Sequence, residues 1–184
     1  MIRKSLRTFI GRIVMAAGLL TPLTVLGTPA VANAQPVTPP SQAVLIANKT
    51  ALWDNCILGR TLTIDAPVIQ YPCRRYADQL WTFTRRGTEP SNGEDYYQIQ
   101  NVNNGLCLAV RTDKDNAGAQ QVRCGNYYDQ SWFVDLAWDG LSYQLRNRGS
   151  DKCLLVRGTA PYTQLQQYKC GTYTDQVWSF FTWA

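Results

Sequence analysis

The chain has 184 residues, no histidine, 18 Lys+Arg against 13 Asp+Glu and a formal net charge of +5. Without histidine there is no Ser/His/Asp triad and no histidine-ligated metal site. The charged residues among the first 34 are all basic (Arg3, Lys4, Arg7, Arg12), which leaves 14 Lys+Arg against 13 Asp+Glu in the remainder. So even a balance gives no electrostatic reason to expect nucleic acid or an anionic membrane as partner.

Residues 1–34 read as a secretory signal peptide: a basic start, an uncharged and mostly apolar run from Ile13 to Gly27, and Ala32-Asn33-Ala34 as a small-residue cleavage site. The rival is an uncleaved membrane anchor, but the run is broken by Pro22 and falls short of the ~20 apolar residues that cross a bilayer. Residues 35–42, with Pro36, Pro39 and Pro40, read as a short extended linker. From Ala43 onward no proline- or glycine-rich stretch divides the chain, and its length suits one domain with a real core, expected as a monomer.

That domain is a threefold internal repeat. Cys73, Tyr76, Asp78, Gln79 and Trp81 fall at offsets 0, 3, 5, 6 and 8; Cys124, Tyr127, Asp129, Gln130 and Trp132 repeat them, and so do Cys170, Tyr173, Asp175, Gln176 and Trp178. Seventeen residues before each of these cysteines stands another, which makes Cys56–Cys73, Cys107–Cys124 and Cys153–Cys170 the simplest pairing. Six cysteines with none left over fit disulfides in an oxidising compartment. A zinc site fails, because no two cysteines stand two to four residues apart.

Inside the repeats, bounded at about 43–92, 93–139 and 140–184, the pattern is short strands. Tyr97–Gln100, Asp135–Trp138 and Tyr143–Arg146 alternate polar and apolar residues, and Asn92-Gly93, Asn104-Gly105 and Asp139-Gly140 supply turns. No window holds a helical period. Ile46-x-Asn48, Ile99-x-Asn101 and Leu145-x-Asn147 open the repeats, and each first cysteine is followed four residues on by Arg60, Arg111 or Arg157. Three such units are too few for a propeller. Closing them around one axis buries the apolar faces and strand edges, so a closed all-β body is expected, with Trp81, Trp132 and Trp178 in equivalent inward positions.

Three in-phase Gln-x-Trp segments (Gln79-Leu80-Trp81, Gln130-Ser131-Trp132, Gln176-Val177-Trp178), with a cysteine pair in each repeat, resemble the ricin B-type lectins, over essentially all of 43–184. The resemblance implies a β-trefoil and a shallow sugar pocket in each repeat. In the family an acidic residue two after the first cysteine accepts from sugar hydroxyls, an aromatic two before the second cysteine stacks on the ring, and a polar residue stands four before it. Here the acidic position holds Leu58, Ala109 and Leu155, the stacking position Tyr71, Val122 and Tyr168, and the polar position Ile69, Gln120 and Gln166. Asp78, Asp129 and Asp175 stand where the family often has asparagine. The third repeat, with Gln166, Tyr168 and Asp175, keeps most of the pattern. Tyr71 with Asp78, and Gln120 with Asp129, are lesser candidates.

Residues shared by all three copies have a structural reading as well. Gln79, Gln130 and Gln176 suit hydrogen bonds to backbone, and Tyr76, Tyr127 and Tyr173 suit packing over the Gln-x-Trp turn with hydroxyls partnered nearby. The three aspartates either cap a turn through backbone amides or accept from a sugar, and Arg60, Arg111 and Arg157 are placed to pair with them at the surface. Asp113-Lys114-Asp115 mimics the start of a calcium loop but lacks ligands at Ala117 and Cys124, so a solvated hairpin is expected there. The expectation is a secreted carbohydrate-binding protein without cofactor, metal or catalytic activity. The alternative is a β-trefoil that has lost its sugar sites and meets an extracellular protein or serves as an extracellular structural module.

Overall fold

In the computed structural model the described residues are 37–182; the leader read as a signal peptide lies outside them. The first repeat contributes β1 (Val44–Asn48), β2 (Asn55–Leu58), β3 (Ala66–Pro67), β4 (Ile69–Pro72) and β5 (Leu80–Thr88). The second contributes β6 (Asp95–Asn101), β7 (Cys107–Ala109), β8 (Gln120–Val122) and β9 (Ser131–Leu136). The third contributes β10 (Tyr143–Asn147), β11 (Lys152–Leu155), β12 (Gln166–Lys169) and β13 (Trp178–Thr182).

Six strands close into a barrel. β1 pairs with β5, β5 with β6, β6 with β9, β9 with β10, β10 with β13, and β13 returns to β1, every pair antiparallel. No barrel edge is left open to template another chain. The hairpins β2–β4, β7–β8 and β11–β12 sit on this ring, joined to it at the equivalent pairs Ala47↔Cys56, Gln100↔Cys107 and Arg146↔Cys153.

The pseudo-threefold axis is marked by the backbone itself. Val68 N–H donates to Ala119 C=O (3.0 Å), Ala119 N–H to Leu165 C=O (2.7 Å), and Leu165 N–H to Val68 C=O (2.9 Å), a closed triangle of fully buried residues, one per repeat. Three glutamines lock the hairpins together around it. Gln70 donates to the carbonyls of Gly158 and Ala160, Gln121 to those of Thr61 and Thr63, and Gln167 to those of Thr112 and Lys114. Each therefore satisfies orphan carbonyls in a neighbouring repeat's loop, which a buried polar side chain must do to offset its desolvation.

The core is one cluster running through the barrel. Trp81, Trp132 and Trp178 are fully buried, and each indole N–H donates to a hairpin carbonyl, Ile57 (3.1 Å), Leu108 (2.9 Å) and Leu154 (3.1 Å). The glutamine two residues earlier folds the chain after the disulfide. Gln79 accepts from Arg74 N–H and donates to Pro72 C=O; Gln130 and Gln176 do the same with Gly125 and Arg123, and with Gly171 and Lys169. The three disulfides run within repeats, with Cα–Cα distances of 5.0, 5.1 and 4.9 Å. They are the chemistry of an oxidising compartment.

The structure differs from the sequence reading in three places. The alternation at 135–138 does not all become strand: β9 stops at Leu136 and Trp138 lies in the turn to β10, because Asp139 already caps that turn through Leu141 and Ser142 N–H. Each Gln-x-Trp is entered through one turn of 3-10 helix, Ala77–Gln79, Tyr128–Gln130 and Thr174–Gln176, too short to leave a periodic signal. Of the segment read as a linker, Val37 packs against the core and Pro39 is buried. Gly93, Gly105 and Gly140, in the three predicted turns, all have positive φ.

Candidate functional site

Each repeat presents one surface site, and each site is completed by the repeat before it in the cycle. Four positions define it: the arginine four after the first cysteine, the aspartate of Asp-Gln-x-Trp, the residue two before the second cysteine, and a residue from the neighbouring repeat nine after its first cysteine. That last position is Asp65, Asn116 or Tyr162, all with left-handed backbone, φ 64°, 60° and 67°. Asp65 accepts from Arg111 (3.4 Å), Asn116 from Arg157 (3.3 Å), and the Tyr162 hydroxyl from Arg60 (3.5 Å).

The aspartate is fixed by its backbone. Its carbonyl accepts the side-chain amide of the asparagine that opens the next repeat: Asp78 from Asn101 (2.8 Å), Asp129 from Asn147 (2.9 Å) and Asp175 from Asn48 (3.0 Å). Oδ1 of Asp78 and Oδ1 of Asp175 are buried and have no hydrogen-bond partner, and burial raises both carboxyls above the ordinary range, Arg60 and Arg157 respectively offsetting part of that rise.

In the third repeat, Leu155, Arg157, Tyr168, Tyr173, Asp175 and Gln176 line a shallow cleft of ≈ 190 Å³. A wider groove of ≈ 510 Å³ shares Arg157, Tyr173 and Asp175 with it and runs on to Thr50, Thr172 and Thr174. The Arg157 guanidinium lies 5.1 Å from the Tyr168 ring centre and 3.5 Å from Asp175 Oδ2. Tyr168 and Asp175 are thus brought together as the sequence implied. Gln166, at the start of β12 opposite Leu155, does not line the cleft.

In the first repeat Tyr71 and Arg60 meet Tyr162, whose ring is 5.1 Å from that of Tyr71 at 52°, and Asp78 feels the charge of Arg60. In the second, Arg111 is held between Asp129 and Asp65, both at 3.4 Å, and Val122 is fully buried. Gln120 starts β8, paired with Ala109 and Pro67. Leu58, Ala109 and Leu155 are at most 2% exposed, so the positions where the resemblance implied an acid are buried and apolar here.

Tyr76, Tyr127 and Tyr173 depart from the structural reading. They are 56, 61 and 54% exposed rather than packed away. The rings of Tyr127 and Tyr173 rest against Gly125 and Gly171, where an added Cβ would come within 2.4 and 2.6 Å of the ring, so their close approach needs bare backbone there. The αL position was also missed by sequence reasoning. Its signal was Asp and Asn at one offset in two copies, residues that favour αL, with Tyr162 the odd one out. Asp115, in the calcium-loop mimic, pairs with Lys152 (2.7 Å).

A family model described as ricin-type beta-trefoil lectin domain-like matches residues 63–124 and 77–168. The chain belongs to this family. Among solved structures, this β-trefoil lectin-like chain is similar to a designed threefold-symmetric protein, ThreeFoil, at TM-score 0.66 and 20% identity over 77% of this chain and 99% of that one. It is similar to a ricin B-like lectin of Macrolepiota procera, solved with lactose, at TM-score 0.63 and 17% identity over 78% and 97%. It also matches an exo-beta-1,3-galactanase of Clostridium thermocellum at TM-score 0.68 and 21% identity over 78% of this chain, where it spans only 31% of the enzyme. Among curated proteins no match was found.

Proposed function

We propose that the protein is a secreted, monomeric carbohydrate-binding module, working by adhesion rather than catalysis, with the third-repeat cleft as its principal site. The observation that carries this reading is the juxtaposition of Tyr168, Tyr173 and a half-buried Asp175 carboxylate, met on one oxygen by Arg157 at 3.5 Å, in one open cleft. A pyranose offers an apolar C–H face to an aromatic ring and hydroxyl donors to a carboxylate, so the two kinds of group match its two kinds of surface. With only one such cleft well formed and the family's acid replaced by Leu155, affinity per site is weak. Binding to a polymer gains from the sites acting together.

The test is retention on immobilised polysaccharides and a glycan array, with albumin as the blank. Tyr168→Ala is expected to lower retention about tenfold, the loss of one stacking ring contact, without moving the melting temperature. No retention of the wild type above the blank would overturn the reading. A second reading, a β-trefoil that binds an extracellular protein instead, is favoured by the burial of Leu58, Ala109 and Leu155 in all three repeats. Co-purification with one secreted protein, unaffected by competing sugars, is the result that would install it.

A further inference from the structure

The three equivalent arginines differ in how their charge is met. Arg111 sits between two carboxylates, Asp65 and Asp129, and Arg157 faces one, Asp175, with the neutral Asn116 on its other side. Arg60 has no carboxylate within 4 Å among the described residues: where its sisters meet Asp65 and Asn116, it meets the Tyr162 hydroxyl. It is exposed, and its guanidinium lies 5.9 Å from the Tyr162 ring centre. One cation of the three is therefore left for an outside anion.

Tyr162 is itself out of place by local rules. A bulky aromatic at φ 67° is a backbone outlier, held there because Gln70 clamps the carbonyls of Gly158 and Ala160 and Tyr162 N–H donates to Gln70 C=O (2.8 Å). The strain is spent on placing the ring, 55% exposed, against that of Tyr71. Two rings inclined at 52° form an angled aromatic wall, with Arg60 at its edge and the Asp78 carboxylate close enough to Arg60 to feel its charge.

We infer that this junction of the first and third repeats is a second sugar site, selective for an anionic residue of a polysaccharide, its carboxylate or sulfate taken by Arg60. The inference rests on the carbohydrate-binding reading and deepens it at the first-repeat candidate, adding Arg60 and Tyr162 to that site and an anionic ligand class. A planar guanidinium matches a carboxylate or sulfate with paired N–H donors, the tyrosines cover the apolar face of the sugar, and a hydroxyl of the same sugar donates to Asp78.

Binding is measured for the full secreted chain by affinity electrophoresis in polygalacturonate, in carrageenan, a sulfated galactan, and in neutral galactan. Retardation at least about tenfold stronger in one of the two acidic polymers is expected, the charge-assisted contacts supplying the difference; whichever acidic polymer it is names the anion. Arg60→Gln should erase that preference, and Tyr162→Asn should weaken binding in the acidic polymer while folding at least as stably, since asparagine accepts the αL backbone its equivalent Asn116 already has. Arg86→Gln, which removes an equal charge from an exposed position on β5, should change nothing. Equal retardation in neutral and acidic polymers overturns the inference, as does an acidic preference that survives Arg60→Gln or binding untouched by Tyr162→Asn. If such binding falls only in Tyr168→Ala, the inference fails and the carbohydrate-binding reading stands. No retardation in any polymer removes both.

Discussion

At the scale of single residues the chain uses one polar group per repeat for each backbone problem. Asn48, Asn101 and Asn147 hold the neighbouring repeat's aspartate carbonyl through the side-chain amide and accept a nearby backbone N–H through Oδ1, so one buried side chain serves two repeats. Asp139 shows the same economy at the surface. Oδ1 accepts from Leu141 and Ser142 N–H, closing the β9–β10 turn, and Oδ2 accepts from Lys49 Nζ at 2.6 Å, drawing the first repeat onto the turn that ends the second. Burial alone would raise this carboxyl, but Lys49 and the turn amides outweigh it and hold it well below the usual range. A folded pKa below the unfolded value contributes stability above about pH 4 and loses it as pH falls toward the folded pKa. Asp139→Asn keeps an acceptor for the turn and removes only the charge. It should cost about 1 kcal/mol at pH 7, between an exposed and a buried pair, and urea midpoints of variant and wild type should converge from pH 4 to pH 2. A gap that does not change with pH would refute the ionic account.

At the scale of elements, the hairpin is the unit that the disulfide staples. Cys107–Cys124 joins β7 across the 109–120 loop to the chain just past β8 and sits with Ala109 and Val122 in a small cluster apart from the barrel core. Closing a loop of that size restricts the unfolded chain and contributes about 3 kcal/mol in the chain-entropy model. Replacing both cysteines by alanine should lower the unfolding free energy by roughly that amount while leaving far-UV circular dichroism unchanged, since β7 and β8 keep three register pairs. Loss of the β signal would mean that the hairpin needs the bridge to form at all. Hairpins, cysteine pairs and Trp81, Trp132 and Trp178 were legible in the sequence because each lies within one repeat and recurs in phase. The sites were legible only in part. Tyr71, Tyr168 and the aspartates belong to their own repeats, whereas Asp65, Asn116 and Tyr162 act on the arginine of the next, and no spacing within a repeat says which residue lies across the boundary.

At the scale of the whole molecule, barrel closure makes the point of chain entry interchangeable. β13 pairs with β1 from Val44↔Thr182 to Asn48↔Trp178, so residues 44 and 182 are ladder neighbours, and this seam is equivalent to β5–β6 and β9–β10 by the pseudo-threefold axis. The turn between β5 and β6 is exposed at Ser91, Asn92 and Gly93, and its positive-φ Gly93 is not needed if the turn no longer exists. A circular permutant that joins residue 182 to residue 43 through about five flexible residues, and begins at Asn92, should fold with all three disulfides and unfold in one cooperative step. Cutting at an exposed, polar loop tip is what folds tolerate, and the axial triangle of Val68, Ala119 and Leu165 is untouched by it. Removing 178–184 instead deletes β13, opens the barrel on both sides and takes Trp178 from the core, and that chain should not fold. If the permutant unfolds in separate stages, the repeats are behaving as independent units and the barrel is not the cooperative body that its closed pairing implies.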